Sequence, residues 1–264
     1  MLTSISLTDM NLKQKLLQLP PLKYYFKGRL VMHDSFHTRV MEQSNEERAK
    51  RTARTEVINF LLSLFTGETT YLEIGVRDPS KNFNKITATH KYSVDPGIEF
   101  TLNPVDFPVT SDQFFEQLAA GSILSPETRF DVIFIDGLHL AEQVDRDIRN
   151  ALDFLKDDGF IVLHDCNPPS EWHAREEHNY RQSPAGNFWN GTSWKAFVKW
   201  RTNTSLQSCC IDTDWGVGIL SKKHAVGAPL SKPNEFYEFK NFAQHRIEQL
   251  NLIDFETLKK RLAF

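Results

Sequence analysis

Residues 130–139 read Phe130-Asp131-Val132-Ile133-Phe134-Ile135-Asp136-Gly137-Leu138-His139, and residues 160–168 read Phe160-Ile161-Val162-Leu163-His164-Asp165-Cys166-Asn167-Pro168. Each is a short apolar run that delivers polar groups at its C-terminal end, the pattern of a buried parallel strand. Between them Ala141, Val144, Ile148, Ala151, Leu152 and Leu155 recur at helical spacing, and Gly159 stands where a left-handed glycine would close a helix. Strand, helix and strand at this spacing make a βαβ unit. The expected architecture is therefore α/β: an open, mostly parallel sheet with ligands at the carboxyl ends of its strands.

Upstream, the same pattern recurs at Tyr71–Gly75, Tyr92–Asp95 and Phe107–Thr110, which predicts three further strands. Before them, Ser44 as N-cap with Glu47 as its capping-box partner predicts one helix through Val57, Ile58, Leu61, Leu62 and Phe65, ending near Gly67. Residues 1–43 read as short helices and loops. Downstream, residues 166–195 are rich in Pro, Asn, Trp, His and Gly and too irregular for an ordinary connection, so a substrate loop is expected. A short helix at Trp194–Trp200, an antiparallel pair from Leu206–Ile211 and Gly216–Leu220, a helix around Phe236–Leu250 and a shorter one after Asp254 complete the chain. The organisation expected is an N-terminal helical region (1–66, a cap or an oligomerisation element), a catalytic domain (67–222) and a C-terminal helical extension (223–264).

The 264 residues carry 31 basic and 34 acidic side chains, a formal charge of −3, and 40% are hydrophobic. That is enough apolar material for a packed core, and the balance leaves no broad positive field, which argues against nucleic acid as the main partner. Cys209 and Cys210 are adjacent and leave Cys166 without a sensible mate, so a reducing, cytoplasmic setting is expected. Residues 1–18 lack an apolar core flanked by basic residues, and no stretch approaches the length of a membrane span, so neither secretion nor a span is expected. Only 12 glycines occur, against 20 phenylalanines. A glycine-rich phosphate cradle is therefore not expected.

Chemistry gathers at the strand ends. The first strand closes with Glu73-Ile74-Gly75, after which Asp78 and Pro79 can cap and start a helix. Asp95 ends the next strand 22 positions after Glu73, where a ribose-binding carboxylate is expected. Asp136 and His139 share one lip of the cleft: the carboxylate can hold a metal or fix the imidazole tautomer, and the imidazole can take a proton near neutral pH. Asp165, on the neighbouring strand, could converge with Asp136 on one hard cation. Simpler readings stand beside these: a turn glycine at Gly75, a turn-initiating Asp95, a helix-capping His139 and a loop-capping Asp165.

The ordered set YLEIGV, YSVD, TSDQFF, FDVIFIDGLH and FIVLHDCNP, spanning about residues 70–220, resembles the class I S-adenosylmethionine-dependent methyltransferases. The resemblance implies a Rossmann-like fold with a seven-stranded, mostly parallel sheet, helices on both faces and an antiparallel edge strand. It places Glu73 and Gly75 near the methionine part of the cofactor, Asp95 on the ribose, and Ser111 and Asp112 near the adenine, with Asp136 at the same site. Asp-Gly-x-His followed by His-Asp is similar to the sugar O-methyltransferases of the macrolide type. That implies Asp136, His139 and Asp165 as catalytic residues, His139 as general base, and Mg²⁺ or another divalent cation on Asp136 and Asp165. Cys166 stands where some relatives have a second Asp, and Arg77 where a glycine is common. Trp172, Trp189, Trp194 and Trp200, with His173, His178, Asn187 and Asn190, could form a sugar-binding wall or part of the core. The activity expected is O-methylation of a sugar hydroxyl on a small molecule or glycan by a chain that admits a homo-oligomer. The alternatives are an NAD-dependent sugar oxidoreductase or epimerase and a non-catalytic binding subunit. Against the first, no G-x-G-x-x-G follows the first strand and no Tyr stands four residues before a Lys.

Overall fold

The computed structural model describes residues 12–99, 102–180 and 182–263, so the short helices and loops expected over residues 1–11 lie outside the described residues. Seven strands form: β1 (Thr70–Ile74), β2 (His90–Val94), β3 (Phe130–Ile135), β4 (Leu155–Leu163), β5 (Gln207–Ile211), β6 (Val217–Ser221) and β7 (Leu252–Ile253). They lie in one sheet in the order β2-β1-β3-β4-β6-β5-β7. The run β2-β1-β3-β4 is parallel, β6 is antiparallel to both β4 and β5, and β7 pairs parallel with β5. This is a Rossmann-like architecture, a mostly parallel seven-stranded sheet with helices on both faces and antiparallel pairing towards one edge.

The pleat of β3 explains its unbroken apolar run. Ile133 and Ile135 point into one layer, among side chains of α5 (Ser111–Ala119), α6 (Ala141–Phe154) and α7 (Ser193–Trp200). Val132 and Phe134 point into the other, among side chains of α4 (Arg54–Leu62) and α10 (Phe255–Leu262). A strand covered by helices on both faces needs apolar residues at every position rather than at alternate ones. Three helices precede this core: α1 (Leu12–Gln18), α2 (Pro20–His33) and α3 (Ser35–Ala49).

Several expectations are corrected. The helix predicted from Ser44 to Gly67 is two helices, α3 and α4, separated by extended backbone at Lys50 and Ala53. Ser44 lies inside α3, where its hydroxyl donates to the Val40 carbonyl, and Glu56 accepts from the Ala53 N–H at the true start of α4. The strand predicted at 107–110 is reduced to one parallel bridge between Val94 and Phe107. The seventh strand is instead β7. It arises where Asn251, in left-handed backbone (φ 44°), turns the chain out of a short C-terminal helix, α9 (Arg246–Leu250). The helix predicted around 236–250 breaks at His245 into α8 (Phe239–Gln244) and α9. No helix begins at Pro79: Asp78 binds back on the Ser80 N–H and hydroxyl, and a single 3₁₀ turn follows at Phe83–Lys85. Gly159 does not cap α6, which ends at Phe154. It lies inside β4, where a Cβ would stand 3.0 Å from the Asp131 carbonyl.

Candidate active site

The C-terminal ends of β1, β2, β3 and β4 carry the site. Gly75 leaves β1 with φ 83°, and a Cβ there would collide with the Asp136 and Gly137 backbone. The loop after β1 therefore rests directly on the end of β3, which only glycine permits. Arg77 also adopts left-handed backbone (φ 48°), so the turn survives without the glycine that the resemblance calls for. Its N–H donates to Asp95 Oδ2 at 2.8 Å, and the Gly97 N–H donates to Oδ1 at 2.7 Å. Asp95 is thus oriented by the loops on either side, with acceptor capacity left on each oxygen.

Glu73 is 2% exposed. Its Oε2 accepts from Tyr71 Oη at 2.7 Å and Asn82 Nδ2 at 2.9 Å. Burial outweighs these bonds and pushes its carboxyl up to about 7. Ser111 and Asp112 stand in the first turn of α5, tied by Gln143 Nε2 at 3.1 and 3.3 Å to α6, the helix that follows His139.

The centre is a cluster of charges. Asp136, His139 and Asp165 each offer a donor atom within 4.8 Å of the others. His139 Nε2 lies 3.4 Å from Asp136 Oδ1, and its Nδ1 lies 3.0 Å from Asp165 Oδ2. His164 Nδ1 approaches the same two carboxylates at 3.0 and 3.1 Å. Both ring nitrogens of His139 therefore face acceptors. Burial alone would lower its pKa, but the Asp165 charge and the hydrogen bonds to Asp136 and Asp165 raise it to about 10. The carboxyl groups move the other way: against the cost of burial, the His164 charge first, then Arg54 for Asp136 and His139 for Asp165, hold both below the ordinary range.

Four residues join this centre that the sequence reading did not assign to it. Arg54, at the start of α4, reaches Asp136 at 3.7 Å and Asp214 at 3.2 Å. Asp214 in turn faces His164 Nε2 at 3.3 Å. Asn190 is fully buried and donates to Asp165 Oδ1 at 2.8 Å. This bond helps hold Asp165 in left-handed backbone (φ 59°), an unfavourable state for an aspartate that supporting contacts must maintain. His164 itself adjoins Asp165, so its place was visible in the motif. Arg54 carried no local signal.

Of Trp172, Trp189, Trp194 and Trp200, Trp189 is the one stacked on His139, with centroids 5.1 Å apart and planes at 13°. Trp194 is buried among Tyr237, Phe239 and Phe242, and Trp200 donates to Asp145 at 2.8 Å. His173 is locked between Ser44 and Ser170, and burial drives its pKa down to about 4. The loop carrying Trp189 is riveted by Arg175, whose guanidinium donates to the carbonyls of Trp172, Glu177, His178, Gly186 and Phe188.

The two carboxylates of the cluster, Asp136 and Asp165, offer the oxygen donors that a hard divalent cation prefers, with the His139 imidazole beside them. Cys166 is not among the donors, because its thiol is buried beneath Phe197 and Gly218. A second Asp at that position would point into the core.

This fold, with acidic strand ends around a His–Asp cluster, is that of a methyltransferase, and a methyltransferase-domain family model matches residues 23–166. The chain belongs to that family. No curated protein matches the chain. Among solved structures it resembles a protein of Klebsiella pneumoniae described as an O-methyltransferase (17% identity, 76% of this chain and 96% of that one, TM-score 0.41). It also resembles an O-methyltransferase of Bacillus cereus in complex with SAH (16%, 76% and 95%, TM-score 0.38). A third is MycE of mycinamycin biosynthesis, in complex with Mg and SAH (14%, 78% and 60%, TM-score 0.41).

Proposed function

We propose that the chain methylates a hydroxyl oxygen on a sugar of a glycan or glycosylated metabolite. The observation that carries this reading is the convergence of Asp136, His139 and Asp165 beside the β1 and β2 loops. S-adenosylmethionine supplies the methyl group: the hydroxyl oxygen forms a bond to the methyl carbon as the carbon–sulfur bond breaks, leaving a thioether. Glu73 and Gly75 face the methionine portion, Asp95 holds the ribose hydroxyls, and Ser111 and Asp112 stand near the adenine. The protein aligns oxygen, carbon and sulfur, and His139 takes the hydroxyl proton.

The charges set a condition on that last role. While protons alone balance the carboxylates, His139 keeps its own proton to about pH 10 and cannot accept another. A divalent cation on Asp136 and Asp165 would supply the missing positive charge and polarise a bound hydroxyl. The base role of His139 therefore goes with a metal requirement. Trp189, stacked on His139, offers an apolar face beside the base. A cavity of about 450 Å³, walled by Trp172, Trp194, Tyr237 and Phe239 with Arg175 and Lys195 at its edge, adjoins the same loop. Aromatic walls with polar groups suit a sugar ring. The division at 66 and 222 into helical cap, catalytic domain and extension belongs to the same proposal.

The test is His139→Ala, assayed with candidate glycosides and by S-adenosylhomocysteine titration. Loss of a general base lowers turnover by about 10²–10⁴-fold and leaves cofactor affinity unchanged. Full turnover in this variant would refute the assignment. A nicotinamide-dependent reading would instead require stabilisation by NAD and none by S-adenosylhomocysteine.

A further inference from the structure

The N-terminal helices α1 and α2 carry a surface that the methyl-transfer site does not use. Residues 15–33 contain four basic side chains, Lys15, Lys23, Lys27 and Arg29, and no Asp or Glu, although the whole chain is net acidic. Residues 12–33 also supply ten of the eighteen large hydrophobic side chains that are exposed among the described residues. Tyr24 is 70% exposed, Leu30 73% and Met32 69%, and α2 contributes no buried residue. A helix with apolar side chains around it is ordinarily covered. Soluble chains rarely leave so many apolar side chains of one segment in water.

We propose that α1 and α2 dock on an anionic lipid surface. Charge selects this occupant over a second copy of the chain. In a twofold pairing the same patch faces itself, so four cations would meet four cations with only Asp34, at the end of α2, on each side to offset them. An anionic bilayer matches both properties at once. Leu, Tyr and Phe side chains enter the boundary between headgroups and acyl chains, while Lys and Arg reach back to the phosphates. Between α2 and the start of α3, Phe26, Arg29, Leu30, His33 and Asp34 line a groove of about 500 Å³. Among the described residues no helix is long and apolar enough to cross a membrane, so the contact is one of lying on the surface. On α3, which follows, Phe36 packs edge-on against Trp172 of the loop beside the catalytic cluster, with centroids 6.3 Å apart. Docking would therefore bring that loop near the interface without altering the cluster.

The test is co-sedimentation of the full chain with vesicles of phosphatidylcholine alone and of phosphatidylcholine with about 30% phosphatidylserine, in about 0.1 M salt. The expected result is at least tenfold stronger partitioning onto the anionic vesicles, falling at least tenfold in about 0.5 M salt as screening shortens the electrostatic range. Each Lys or Arg near the surface is worth about fivefold in partitioning. The double variant Lys27→Glu/Arg29→Glu should therefore lose at least ~25-fold. Tyr24→Ser/Leu30→Ser should lose binding to both vesicles while keeping the melting temperature and S-adenosylhomocysteine affinity of the parent. Equal binding to the two vesicle types would overturn the proposal. So would absence of vesicle binding together with a dimer that the Tyr24→Ser/Leu30→Ser variant dissociates, which would assign the patch to self-association.

Discussion

Replacing Glu73 by glutamine tests the electrostatics of the cofactor side of the site. Glu73 is buried, and its carboxyl is held neutral to about pH 7 because burial costs the charged form more than Tyr71 and Asn82 return. Between pH 4.5 and 7 the folded chain thus keeps a proton that the unfolded chain releases. Stability contributed by this group is full below pH 4.5 and is lost as the pH rises through 7. A rise from 4.5 to about 7, at about 1.4 kcal/mol for each tenfold change in proton affinity, makes the loss about 3 kcal/mol. The glutamine side chain of the Glu73→Gln variant has nearly the same shape, and its amide oxygen can accept from both Tyr71 and Asn82, but it has no charge to bury. The assay is urea unfolding of parent and variant at about pH 5 and pH 8 without cofactor. Other titrating groups cancel in the difference between the two proteins. The variant should gain about 2–3 kcal/mol on the parent between those two pH values. A difference constant to within ~0.5 kcal/mol would show that Glu73 is not held neutral, and the reasoning would fail. At the higher pH the same variant should bind S-adenosylhomocysteine at least tenfold more weakly if, as proposed, the Glu73 carboxylate faces the methionine portion.

Three further outcomes follow from the same geometry. Arg54→Met leaves Asp136 and Asp214 without their shared guanidinium and should destabilise the fold by about 3–5 kcal/mol, read from chemical denaturation; a loss below ~1 kcal/mol would mean solvent screens the pair. Gly75→Ala forces a Cβ against the Asp136–Gly137 backbone at φ 83°. It should cost about 2–4 kcal/mol and weaken cofactor binding, whereas unchanged affinity in a calorimetric titration would detach the β1 loop from the cofactor. Chelation should abolish methyl transfer, with recovery on adding Mg²⁺ or Mn²⁺; turnover unaffected by chelator would remove the cation from Asp136 and Asp165.

Legibility divides by distance along the chain. The central parallel strands β1, β3 and β4 were legible because burial on both faces writes an apolar run, and the acids at strand ends were legible because polarity returns where the strand leaves the core. Asp95, Asp136 and Asp165 were found this way. The strand at Phe107 was overread because a few apolar residues do not distinguish one bridge from a ladder. The Ser44 capping box failed because Ser44 packs against His173, a partner 129 residues away. Arg54 and Asp214 could not be placed, since their only connection to Asp136 and His164 is made when distant segments meet.

By itself, then, the sequence determined the βαβ frame, the acids at its strand ends and a first loop unlike a phosphate cradle. The tertiary structure alone decided which charges those acids meet. It brought Arg54 and His164 into contact with Asp136 and set Asp214 against both of them, turned Cys166 into the core, and laid Trp189 over His139. The physical reason is that local pattern encodes burial, which each residue shares with its neighbours in sequence. Proton affinity and metal preference depend on charges a few ångströms away in space, and folding sets those distances only when the whole sheet has closed.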